Sequence, residues 1–122
     1  MALPAPSTMT DWLVHGQIID VSTASIAHIA VGARGRLTRA YVCLSAAVTI
    51  AGTVITIKKA STAIGTITIT VADSGVGSVH EAILTGAEAD LTFADNTAVV
   101  FDCDGDSTTT SIGRITAVFR RL

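Results

Sequence analysis

Residues 39–50 read Arg39-Ala40-Tyr41-Val42-Cys43-Leu44-Ser45-Ala46-Ala47-Val48-Thr49-Ile50, and their alternation decides the fold. In an extended chain Val42, Leu44, Ala46, Val48 and Ile50 fall on one side, and Tyr41, Cys43, Ser45, Ala47 and Thr49 on the other. Successive Cβ atoms of a pleated strand point to opposite faces, so a period of two belongs to a strand, whereas a helix needs a period near 3.6. The stretch predicts one long strand with a face in a core.

The same period recurs on both sides of it. Upstream, Trp12 to Ser22 sets Trp12, Val14 and Ile18 against Leu13, Ile19 and Val21. Ser25 to Val31 follows and ends at Gly32-Ala33-Arg34-Gly35, a loop with two glycines able to take positive φ. Downstream come Thr53 to Lys59 and then Ile64 to Ala72, where Ile67, Ile69 and Val71 alternate with Thr66, Thr68 and Thr70. Threonine suits such a face because its branched carbon fits the pleat and its hydroxyl can pair across strands. Asp73-Ser74-Gly75-Val76-Gly77 turns the chain.

Ser78 to Leu84 reads either as a strand, favoured by its β-rich surroundings, or as a short helix. Ser78 and Glu81 have the spacing of a capping box, and Gly86 could end a helix. Ala89 to Phe93 and Thr97 to Cys103 are the next strands, joined by a turn at Asp95-Asn96. Asp104-Gly105 is a hairpin signal before the last strand, Ser111 to Arg121, with Ile115, Ala117 and Phe119 inward.

Roughly eight or nine strands with turn residues between them predict an all-β fold, an antiparallel β-sandwich, with the jelly roll as its leading form and a closed barrel as the alternative. Residues 1–11 hold both prolines and no apolar periodicity, so they read as an extended N-terminal arm. Residues 12–122 form the single β-sandwich domain.

Of the 122 residues, 49% are hydrophobic and only 15% charged, against about 25% charged in a typical soluble domain. Sparse charge beside abundant Val, Ile, Ala and Thr predicts that neighbouring copies bury part of the outside. A spanning helix would need about 18 consecutive apolar residues, and the richest stretch, Ser45 to Ile57, is broken by Thr49, Gly52, Thr53 and Thr56. The start lacks the cationic and apolar regions of a signal peptide, so a cytoplasmic site of synthesis is expected. A net charge of −2, with Lys58-Lys59 and Arg120-Arg121 as isolated pairs, offers no drive toward nucleic acid or acidic lipid.

His15, His28 and His80 stand in apolar alternating segments with no two at metal-ligand spacing, and His80-Glu81 alone does not make a cupin-type centre. Asp102, Asp104 and Asp106 surround Gly105, but an EF-hand needs glycine at the sixth and glutamate at the twelfth position, so a hairpin with solvated carboxylates is expected, with a weak ion site as the alternative. Gly75-Val76-Gly77 lacks the further glycine of a phosphate loop. Cys43 and Cys103 read as two small buried side chains, or else as a bridged pair. The expectation is a protein that is not an enzyme and holds no cofactor or metal.

The stretch from Ser78 to Thr116, SVHEAILTGAEADLTFADNTAVVFDCDGDSTTTSIGRIT, resembles the C-terminal half of small head decoration (cement) proteins of tailed bacteriophages. The resemblance covers about a third of the chain and rests on its run LTGAEADLTF, the acidic turn, TAVVF, the aspartate-glycine turn and the threonine-rich final strand. It implies a jelly-roll homotrimer on the outer surface of an icosahedral head, whose arm reaches along the shell. The implied partner is the major capsid protein of the same virion, with no nucleic acid and no membrane involved. Pro4, Pro6, Met9, Asp11 and Trp12 become the candidate contacts of that arm and its root. A receptor- or glycan-binding module of a phage fibre or tail is the alternative, and it would present an exposed aromatic or acidic pocket.

Overall fold

A computed structural model of the chain describes residues 11–107 and 109–122. Ten strands and one helical turn follow in the order β1 (Asp11–Ile18), β2 (Ser25–Ala30), β3 (Gly35–Leu44), β4 (Thr53–Lys59), β5 (Thr62–Ile69), β6 (Val79–Glu81), β7 (Ile83–Leu84), α1 (Glu88–Leu91), β8 (Thr92–Phe93), β9 (Ala98–Cys103) and β10 (Gly113–Arg121). They make two antiparallel sheets. The front sheet has the order β1-β10-β3-β6, with β8 also paired to β3; the back sheet has the order β2-β9-β4-β5-β7. The expected sandwich is therefore present, and the closed barrel is not formed.

The pairing is nested. β1 lies along β10 from Asp11↔Arg120 to Ile18↔Gly113, and β2 lies along β9 from Ser25↔Cys103 to Ala30↔Ala98. The first two strands and the last two thus form one long ribbon that is folded over both sheets. Between the sheets, Leu37, Val42 and Leu44 of β3, Ile55 and Ile57 of β4, Ile64, Ile67 and Ile69 of β5, Val99 and Phe101 of β9, and Ile115, Ala117 and Phe119 of β10 are all buried. Alternate residues of each strand point into this one core, as the period of two requires.

Four segments depart from the sequence reading. The third strand runs from Gly35 to Leu44 and does not continue to Ile50. Ser45 leaves the sheet, Val48 turns under the loops, and Ile50 is 87% exposed with φ 68°, a backbone no strand contains. Ala46 and Ala47 are too small to betray that the alternation has stopped. Ala89 to Phe93, read as a strand, begins instead as the helical turn α1: the amides of Asp90 and Leu91 both donate to the Ala87 carbonyl, and Leu91 and Phe93 still reach the core. A single helical turn ending in a strand mimics alternation over five residues.

Asp104-Gly105 does not close a hairpin, because β9 belongs to the back sheet and β10 to the front. Gly105 nevertheless needs its glycine: φ is +75°, and a Cβ there would stand 2.2 Å from the Ala24 nitrogen. The first strand stops at Ile18, not Ser22, since Asp20 caps a turn by accepting from the Ser22 amide at 2.9 Å. Ser78 to Leu84 takes the extended alternative, split at Ala82 so that β6 pairs in the front sheet and β7 in the back.

Candidate interaction surfaces

The two ends of the sandwich are closed by different chemistry. At one end Trp12 stacks on Phe119 with ring centroids 5.7 Å apart, and Phe93 meets Phe119 edge-on at 5.6 Å. The Trp12 indole donates to the Val31 carbonyl at 3.0 Å, and Lys59 Nζ lies 5.8 Å from the Phe93 ring centre. Gly35 makes room, since a Cβ there would meet the Trp12 ring at 2.2 Å. This is the aromatic end.

At the opposite end four loops meet: 19–24, 45–52, 70–78 and 104–112. Side chains and backbone knit them together. The buried Ser111 hydroxyl donates to the Ala46 carbonyl at 2.8 Å and accepts from its amide at 3.1 Å. Ser74 Oγ accepts from the Val48 amide at 3.0 Å, and the Val21 amide donates to Ser111 O at 2.9 Å. Thr49 and Thr109 join through their hydroxyls. Asp104 accepts from the Thr53 hydroxyl at 2.7 Å and from the Val54 amide at 3.1 Å. Burial opposes ionisation of Asp104, but these donors and the Asp106 amide outweigh it and hold the carboxyl below its ordinary value.

The three carboxylates of the proposed ion loop do not converge. Asp102 is paired with Lys58 at 2.9 Å on the back sheet, and Asp104 is turned onto Thr53 and Val54. Among the described residues no group of three or more His, Cys, Asp or Glu side chains could hold a metal ion. His15 and His28 are exposed, with His15 Nδ1 3.3 Å from the Thr116 hydroxyl. His80 is half-buried beside Ser78 Oγ at 2.9 Å; burial pushes its pKa down while Asp73 opposes the shift. Cys43, half-buried on the front sheet, and Cys103, buried in the core, are both free thiols.

Of the candidate arm contacts, Pro4, Pro6 and Met9 lie outside the described residues. Asp11, read as the last arm residue, is the first of β1 and accepts from Arg120 Nε at 3.1 Å. Trp12 is half-buried and committed to the aromatic end, so only its edge faces outward.

Surface chemistry is segregated in a way that the sequence order conceals. Outward from the front sheet point Arg36 and Arg39 of β3 and Arg114 and Arg120 of β10, against Asp11 and Glu81. Arg36 pairs with Glu88 at 3.0 Å and Arg120 with Asp11, leaving Arg39 and Arg114 without a carboxylate within salt-bridge distance among the described residues. Tyr41, Thr38, Arg39, Val118, Asp11 and Arg120 line a groove of about 390 Å³ on this face. The back sheet presents Thr56, Thr66, Thr68, Val100 and Ala98, with Lys58 and Asp102 neutralising each other in their midst. A cleft of about 530 Å³ separates β1 from β2, floored by Gly16 and Ile29.

Large apolar side chains are exposed on each surface: Leu13 and Val79 on the front sheet, Ile26 and Ile83 on the back, and Ile19, Ile50, Val71 and Val76 at the loop end. Among the described residues no helix is long and apolar enough to cross a membrane. Compared with known proteins, the chain matches no family model and no curated sequence.

Proposed function

We propose that this chain is a structural, non-enzymatic protein of a virion: a decoration protein that binds the outer surface of an icosahedral head and stabilises it by bridging major capsid subunits. The observation that carries the reading is the set of large aliphatic side chains left in solvent on a rigid sandwich, with Ile50 87% and Val76 84% exposed. A monomer gains nothing from such exposure, whereas a copy seated among neighbours buries it. The nested strand order supports reading the sandwich as a jelly roll. In this reading the protein assembles as a homotrimer, and many weak contacts per trimer add through multivalency.

The test is to mix the purified chain with undecorated heads of the virus whose genome encodes it, then sediment. Saturable binding that raises the temperature at which the heads open is the expected result; no binding, or binding without stabilisation, overturns the reading. The groove beside Tyr41 gives the fibre or tail glycan-binding alternative its one specific support, because a half-buried phenol flanked by Arg39, Asp11 and Arg120 suits a polar ring. Glycan binding abolished by Tyr41→Ala, with no head binding, would select it.

A further inference from the structure

We infer that the outward face of the front sheet docks the loop end of a second copy of this chain. The inference rests on the self-assembling reading above and names the two surfaces that meet. Five of the six arginines lie on β3 and β10, the two central strands of the front sheet. The loop end is their complement: loops 19–24, 45–52, 70–78 and 104–112 contain Asp20, Asp73, Asp104 and Asp106 and no lysine or arginine. A chain of net charge −2 thus gathers an excess of guanidinium groups over the carboxylates of Asp11 and Glu81 on a side face, and carboxylates without a lysine or arginine among them at one end.

Within that end the carboxylates are not equivalent. Asp20 is bound by Ser22, and Asp104 by Thr53 and Val54, so both serve their own loops. Asp73 takes the exposed Thr70 hydroxyl, at 3.1 Å, and lies within electrostatic reach of His80, while Asp106 is exposed with its side chain beside that of Asp104. These two, outside any salt bridge among the described residues, are the counterparts of Arg39 and Arg114. Apolar groups match as well: Ile19, Ile50, Val71 and Val76 stand exposed at the loop end, and Leu13 and Val79 on the front sheet.

At about 4.8 Å between strands and about 3.3 Å per residue, β1, β10, β3 and the short β6 and β8 give a front face of roughly 500 Å². Two such partners bury about 1,000 Å², the lower bound of a specific contact. Because the two patches differ, the contact is heterologous, the kind that closes into rings such as a trimer. The back sheet lacks this complementarity, since its central Lys58 and Asp102 are already paired.

Light scattering of the full chain at low and high salt tests this. The variant Arg39→Glu/Arg114→Glu and the variant Asp73→Lys/Asp106→Lys should each shift the mass toward the monomer, with at least tenfold weaker association and an unchanged far-UV circular dichroism spectrum. Combining all four substitutions in one chain restores every pairing with its signs exchanged, and should restore the wild-type mass. An unchanged mass in either double variant, or no recovery in the quadruple variant, overturns the inference. A wild-type monomer overturns it together with the self-assembling reading. If the front-face variant keeps its mass but no longer binds heads, the face belongs to the shell and not to a second copy; if it loses its mass yet still binds heads, the decoration reading stands independently.

Discussion

The aromatic end and the loop end close the same core against water by different means. At the aromatic end Trp12, Phe93 and Phe119 cover the interior with ring area, and the Trp12 indole donates to the Val31 carbonyl at its edge. At the loop end no aromatic residue takes part; hydroxyls and the carboxylates of Asp20 and Asp104 satisfy backbone groups that four irregular loops would otherwise leave unpaired. Burial of area is indifferent to pH, whereas a carboxylate acceptor is not. Acid should therefore loosen one end of the sandwich before the other.

The largest expected effect strikes the aromatic end. Phe119→Ala removes the ring that both Trp12 and Phe93 rest on, and should cost about 3–5 kcal/mol in denaturant unfolding. A loss under about 0.5 kcal/mol would deny that the rings carry this end. Next comes Ser111→Ala, which strands both the amide and the carbonyl of Ala46 and should cost about 2 kcal/mol. Relief of strain predicts the opposite sign at Ile50: a β-branched residue at positive φ is costly, so Ile50→Gly should stabilise the monomer by about 1 kcal/mol while weakening its association.

Asp104→Asn should cost about 1 kcal/mol at neutral pH. The Asp104 carboxyl titrates below its ordinary value in the folded protein, so the unfolded chain takes up the proton first; the stabilisation is full above about pH 4 and fades as pH falls through the lowered value. The variant and wild type should then converge in acid. Amide exchange should show loops 19–24 and 104–112 opening in that window while β1 and β10 beside Phe119 stay protected. The smallest effect belongs to His80, whose folded pKa is also depressed: wild type should begin to lose stability as pH falls through about 6.5, and His80→Gln should flatten that slope.

The contrast also marks how far the sequence could be read. Strands such as Thr53 to Lys59 and the inward set Ile115, Ala117 and Phe119 were legible because alternation is a local property and the core imposes it on every strand. Where residues are small, as at Ala46 and Ala47, or where one helical turn ends in a strand, as at Ala89 to Phe93, alternation persists without a ladder and misleads. Asp104-Gly105 marked a backbone at positive φ but not the hairpin read from it, because whether such a bend joins neighbours or crosses between sheets depends on pairing partners some 80 residues away. The charge segregation was illegible for the same reason. Each aspartate reads as an ordinary turn residue until the topology brings four loops together, and Arg39 and Arg114 come onto one face, with Arg114 across from Cys43 and Arg39 across from Val118, only through the register of β3 and β10.

One further property follows from the pairing of β1 with β10. Asp11 faces Arg120, so the two ends of the described chain leave the domain side by side. A mechanical load applied between them pulls this ladder apart like a zip, breaking its hydrogen bonds one after another instead of shearing them all at once. The first groups to bear that load are the Asp11–Arg120 ion pair and the Trp12–Phe119 stack. Tension entering ahead of residue 11 and leaving beyond residue 120 is thus resisted by aromatic packing, and the hydrogen-bonded loops at the far end are the last to feel it.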